Sequence, residues 1–269
     1  MIVNEALTKS TGPFASETIL VMVIWMHVTN LLYSAVADCK QNTIPVLNID
    51  KALALFIGAE QKKGESQGFM LYALGQKFGR IYKTIGEDGE AYANRHVLNL
   101  FARAKTFSRQ CTTGNGLPWV ELRKIVQDIV SQMNIPLLQA LDHYLSIFPS
   151  TWDDDDGNHL ELYALAVLPQ LAVCYPLMYE RFFQSALIDL SFTVTTDAEK
   201  QTLNQTLYNA QVKLKNTLSC FGTNATEVLG IDGDLSNLWS NNLSVAALEV
   251  SFDSSAIHER GSDLVLTPP

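Results

Sequence analysis

Apolar positions along the chain fall three and four residues apart almost throughout, the spacing of one face of an α-helix. From Glu17 the stripe runs through Val21, Ile24, Trp25, Val28, Leu31, Leu32 and Ala35. Tyr92–Phe107 repeats it with Val97, Phe101, Ala104 and Phe107. Pro118 stands where a first helical turn tolerates proline, and Trp119, Leu122, Val126, Ile129 and Met133 form the next face. Asn134 and Pro136 then read as a cap and the opening of a further helix, lined by Leu137, Leu138, Leu141, Leu145 and Phe148. Thr196-Asp-Ala-Glu199 is a capping box ahead of Leu203, Leu207, Ala210, Leu214 and Leu218. Pro169 and Pro176, set in an apolar helical pattern, predict a kink or break near Cys174. No run alternates apolar and polar residues with period two, so the chain reads as all-α.

Punctuation divides these helices. The Gly/Pro-rich stretch Thr112–Pro118 (TTGNGLP) marks the main expected boundary. Residues beyond Gly222, rich in Gly, Asn, Ser and Asp, predict short turns. Leu71-Tyr-Ala-Leu74 returns as Leu162-Tyr-Ala-Leu165 at an offset of 91, and Leu47-Asn-Ile49 resembles Met133-Asn-Ile135 at an offset of 86. A polar loop precedes each Leu-Tyr-Ala-Leu, QKKGESQ in one half and WDDDDGN in the other. The expected organisation is a first helical repeat over residues 14–115, a second over 118–245, and an irregular tail over 246–269. The two repeats are expected to pack as related helical bundles around a pseudo-twofold axis.

Composition narrows the function. With 269 residues, 47% of them apolar, the chain is long enough for one large or two smaller cores. Its net charge of −9 repels phosphate backbones and anionic lipid, which argues against nucleic-acid binding. Cys39, Cys111, Cys174 and Cys220 form no CxxC pair, so neither a zinc knuckle nor a thioredoxin-type redox pair is indicated. They leave open four thiols or two disulfides in any of three connectivities. Asn204-Gln-Thr, Asn224-Ala-Thr and Asn242-Leu-Ser are N-glycosylation triplets and lean towards export. The apolar run Thr18–Met26 is shorter than the ~20 residues that span a bilayer. Its acidic flank, Glu5 and Glu17, and the lack of a small-residue cleavage site do not suit a leader. It reads as the start of a buried helix, with no transmembrane segment expected in this chain and any targeting segment lying outside it.

Catalytic motifs are missing. There is no GxSxG, HExxH, P-loop or GxGxxG, and His27, His96, His143, His159 and His258 lack ligand spacing. Asp142-His143 and His159-x-Glu161 are the close His–carboxylate pairs, and both suit a helix surface. Asp153–Asp156 tempts a calcium reading. Aligning Gly157 with the invariant loop glycine, however, puts Trp152 and Tyr163 where the first and last ligands belong. The acids therefore read as a solvated loop feeding a helix, whose N-terminus they favour.

Further motifs point to a family. Ala164-Leu-Ala-Val-Leu-Pro169, Cys174, Leu218-Ser-Cys220 and Gly233-Asp-Leu-Ser-Asn-Leu-Trp239 stand in the second half. Trp25, Asp38-Cys39, Asp50-Lys-Ala-Leu-Ala, Gly58 and Gly68-Phe-Met-Leu-Tyr-Ala-Leu74 stand in the first. In this order, over residues 18–240, they resemble the iron-assimilating proteins of algae, which include the phytotransferrins. The resemblance implies a secreted, periplasmic or cell-surface protein that captures Fe³⁺ for uptake, with carbonate as a synergistic anion. Ferric iron prefers phenolate and carboxylate oxygens. Tyr72 and Tyr163, at repeat-equivalent positions, are accordingly the candidate metal ligands, with Asp50 and His159 beside them. The resemblance also implies disulfides Cys39–Cys111 and Cys174–Cys220, one closing each half. On this reading the chain is a binding protein and not an enzyme. The alternative is an interaction subunit, with a membrane-associated or multi-subunit partner, that keeps the helical scaffold without a working metal site.

Overall fold

A computed structural model describes residues 13–112, 117–183 and 196–230, and the expected tail over 246–269 and the triplet at Asn242 lie outside them. Among the described residues the secondary structure is helical, apart from one isolated antiparallel bridge between Ile85 and Ala91. The chain divides into two compact units, residues 1–137 and 138–269.

The first unit begins with α1 (Pro13–Ile19), a π-turn (Leu20–Ile24) and α2 (Trp25–Lys40). α3 (Val46–Ile57), α4 (Leu71–Ile81) and α5 (Tyr92–Ser108) follow. Helix α2 packs along α3, while α3 and α4 pack on each other and both on α5. The predicted stripe supplies inner surface: Val21, Val28, Leu32 and Ala35 are buried, as are Ile49, Ala52, Phe56, Phe78 and Phe101 on the helices that follow. Each buried Val, Leu, Ile or Phe side chain contributes roughly 1.5–3 kcal/mol on leaving water. Phe56 sits edge-on to Tyr72 at 6.3 Å and lies 6.1 Å from Phe101, which fixes α3 against α4 and α5.

The N-terminal helical stretch is longer and more exposed than the sequence reading expected. Phe14–Lys40 forms 27 helical residues with a mean hydropathy of 1.8 in its most apolar window, of which 33% is buried. By length and composition this passes the test for a membrane-crossing helix, as core helices and leader segments also do. Ile19, Val23 and Met26 lie on its exposed side. Thr18–Met26 is therefore not wholly buried, since a helix packed along one side leaves the other outside.

Helix α6 (Pro118–Thr151) carries chain from one unit into the other. The expected boundary at Thr112–Pro118 immediately precedes it, whereas the division between units falls inside it. The break predicted at Asn134 and Pro136 is absent. Proline in a helix interior costs about 3 kcal/mol. Burial of Ile135, Leu137, Leu138, Leu141 and Leu145 outweighs that penalty and holds the helix together.

In the second unit, α7 (Asp154–Cys174), α8 (Pro176–Phe183) and α9 (Asp197–Lys215) are followed by a 3₁₀ turn (Leu218–Phe221) and α10 (Ala225–Leu229). The acid run is helical rather than a loop. Asp153 caps α7, its carboxylate accepting from the Asp155 amide at 2.7 Å, and Asp154–Asp156 occupy the first turn. Pro169 lies inside α7, and the break comes at Tyr175, just before Pro176. The predicted box at Thr196 and Glu199 caps α9 through reciprocal bonds of 3.3 and 2.9 Å. Cystines join Cys39 to Cys111 in the first unit and Cys174 to Cys220 in the second.

Candidate functional site

Tyr72 stands in the first turn of α4, 3% exposed, at the meeting point of two loops. One loop, between α3 and α4, turns at Gly64 (φ +73°), whose amide donates to the Tyr72 hydroxyl at 3.2 Å. The other lies between α4 and α5 and is held by Gln76. Its Nε2 donates to the Gly89 carbonyl at 2.6 Å, and its Oε1 accepts from the Ala91 amide at 3.0 Å. This fastening carries Glu90 inward, 4% exposed, where its Oε1 accepts from the Tyr72 hydroxyl at 2.8 Å.

Two cations close the cluster. Lys63 Nζ lies 2.9 Å from Asp88 and 3.7 Å from Glu90, and Arg95 reaches the same two carboxylates, with Nε 3.6 Å from Glu90. From α4, Arg80 donates to the Gly64 carbonyl and to Ser66. Burial pushes the Tyr72 phenol up to about 12, and its bond to Glu90 and the nearby acids add to that against the opposing Gly64 amide. The Lys63 hydrogen bond lowers Asp88 and raises Lys63 in return. The arrangement is a buried phenol on a buried carboxylate, with a second carboxylate and two cations at the rim. Chemically it offers hard oxygen donors beside groups able to hold an anion.

Compared with known proteins, the chain matches no family model, no curated sequence and no solved structure.

The four expected ligands occupy different surroundings. Asp50, also in the first unit, sits on α3 and accepts from Lys105 on α5 at 2.9 Å, a pair nearly half-exposed on both sides. His159 and Tyr163 belong to the second unit, one turn apart on α7. Both stack on Tyr144 of α6, at 4.9 and 5.7 Å with nearly parallel rings. His159 is half-buried and its Nδ1 bonds the Asp155 carbonyl at 2.7 Å, whereas Tyr163 is fully buried. The structure thus brings His159 and Tyr163 together through a shared ring, and gives Asp50 and Tyr72 separate partners. Among the described residues, no three or more His, Cys, Asp and Glu side chains are grouped to hold a metal ion.

Sequence reasoning missed Glu90, Asp88, Lys63 and Arg95. Their signals were the turn Gly86-Glu-Asp-Gly-Glu90 and the polar loop ahead of Leu71-Tyr-Ala-Leu74, which carry no motif of their own. A second buried polar group lies in the second unit. Gln211 donates to Asp142 Oδ1 at 3.1 Å and to Ser146 at 2.5 Å, and Lys215 follows one turn later on α9. Burial lowers Lys215 to about 7, against the opposing charge of Asp142.

Proposed function

We propose that this chain is an extracytoplasmic ferric-iron-binding protein serving iron uptake, with the ion held in the first unit at Tyr72 and Glu90. The observation that carries the reading is the bond from the buried Tyr72 hydroxyl to the buried Glu90 carboxylate, with Asp88 alongside. A phenol raised to about 12 loses its proton to solvent near neutral pH only when a strong Lewis acid takes the proton's place on the oxygen, which favours Fe³⁺ over Ca²⁺ or Mg²⁺. Lys63 and Arg95, displaced from the acids by the incoming cation, would face a carbonate as charge partners. The two cystines suit export to an oxidising compartment: secretion, the periplasm or the cell surface. His159 and Tyr163 are the corresponding candidates in the second unit. Near-complete burial of Leu71–Leu74 and of Leu162–Ala164 supports repeat-related halves.

The test is addition of Fe³⁺ in bicarbonate buffer, read as tyrosinate-to-iron absorbance in the visible. Tyr72→Phe is expected to abolish the band, and Tyr163→Phe to leave most of it. An equal band in Tyr72→Phe, or none in the native chain, overturns the assignment. A second reading, a scaffold without metal, is favoured by one observation: both acids already have cationic partners in Lys63 and Arg95. It predicts no band at all and a folded, unchanged protein.

A further inference from the structure

We propose that Asn224 is an N-glycan acceptor and that Asn204, which carries the same triplet, is not. Both triplets read Asn-x-Thr, yet the fold treats them differently. Asn224 is exposed, in extended backbone (φ −131°, ψ 172°) between the 3₁₀ turn and α10. Its Oδ1 accepts from the Glu227 amide at 3.0 Å, while Glu227 Oε2 accepts from the Asn224 amide at 3.3 Å and from Thr223 at 2.8 Å. That capping box uses only the side-chain oxygen. No acceptor among the described residues engages Nδ2, which is therefore free to carry a substituent without loss of the cap. Thr226, which supplies the triplet's hydroxyl, is exposed as well.

Asn204 is built into α9. Its backbone is helical, its side chain is half-buried, and its Oδ1 is closed off from water without a hydrogen-bond partner. The triplet's hydroxyl, on Thr206, is turned back onto the Thr202 carbonyl at 3.0 Å. A branched sugar there would have to leave along a helix face that is partly covered. Glycans belong on accessible surface loops.

The donor class is a polyprenyl-diphosphate-linked oligosaccharide. Asn224 Nδ2 attacks the anomeric carbon of the first sugar, forming the N–C bond as the bond from that carbon to the phosphate oxygen breaks. The lipid diphosphate leaves with the bonding electron pair, and the amide nitrogen gives up one proton to a base of the transferase. No oxidation or reduction occurs.

The inference rests on export, but not on iron. The full chain is therefore secreted from eukaryotic cells behind a foreign leader, and its peptides are mapped by mass spectrometry with and without an amidase that removes N-glycans. The expected result is a glycan on the Asn224 peptide and none on the Asn204 peptide. Asn224→Asp, which keeps the capping oxygen, and Thr226→Ala, which leaves the cap untouched, should each abolish it. Thr206→Ala should change nothing. An unmodified Asn224 in the secreted chain, or a glycan on Asn204, overturns the proposal. If the secreted chain is modified at Asn224 but chain from its native source is bare, the proposal fails at export while the acceptor geometry stands. The iron titration is scored separately.

Discussion

Replacing Cys39 and Cys111 together by alanine asks how much of the first unit's stability comes from closing its chain. The bridge spans 72 residues, enclosing α3, α4 and the whole of α5. Chain-entropy arithmetic for a loop of that length gives about 4.4 kcal/mol, and the 46-residue span of Cys174–Cys220 gives about 4.0 kcal/mol. Cys39 and Cys111 are almost wholly buried, at 1% and 0% exposure, so two small methyl-for-thiol changes add only a minor packing loss. Their Cα atoms are 4.9 Å apart within a packed helical unit, and the native backbone need not move when the bond is lost. The variant should therefore keep its far-UV circular dichroism while urea denaturation shows a loss of about 3–4 kcal/mol. Removing both bridges should cost about twice as much, because they close separate loops. Cys174 and Cys220 are partly exposed, so graded reductant with alkylation mass spectrometry should open that bridge first. A loss below about 1 kcal/mol in a variant of unchanged helicity would refute the argument that the cystine acts on the unfolded chain.

Gly75→Ala should destabilise the first unit by roughly 1–3 kcal/mol in urea denaturation, because the new Cβ would overlap Asn94 Oδ1. Asn94 cannot easily swing aside, since its Nδ2 donates to the Tyr72 carbonyl at 2.8 Å, and the double variant with Asn94→Ala should regain part of the loss. Lys215 predicts a pH dependence. Above about 7 the folded protein holds it neutral, while the unfolded chain keeps it protonated up to its ordinary 10.5. The unfolded state then binds more protons, so this group makes stability rise with pH across that interval, by at most about 1.4 kcal/mol per pH unit. Below about 7 both states are protonated and the full burial penalty remains. Lys215→Met should be more stable than the native chain at pH 7 and should flatten the rise, and an unchanged slope in denaturation between pH 7 and 9.5 would rule this out.

Helices were legible wherever the apolar spacing and the local chemistry agreed. The stripe from Val97 to Ala104, the opening at Pro118 and the box at Thr196 needed only side-chain periodicity and capping bonds between near neighbours. Pro136 misled because its penalty is local, whereas the burial that carries α6 through it comes from the partners of Leu138, Leu141 and Leu145. Asp153–Asp156 misled in the opposite sense, since a solvated acid run and a capped first turn share one composition. At the candidate site Tyr72 was readable from the repeat. Its carboxylate and cations were not, because Lys63, Glu90 and Arg95 meet only after two loops and the start of α5 are brought to α4.

The loop before α4 exposes Lys62, whose side chain is 77% open to solvent, on the chain between Cys39 and Cys111. A protease that cuts there divides the polypeptide but not the molecule. The cystine keeps both fragments covalently joined, and α3 and α4 remain packed on α5. The same span that raises stability also lets the fold survive a severed backbone in the loop that frames Tyr72.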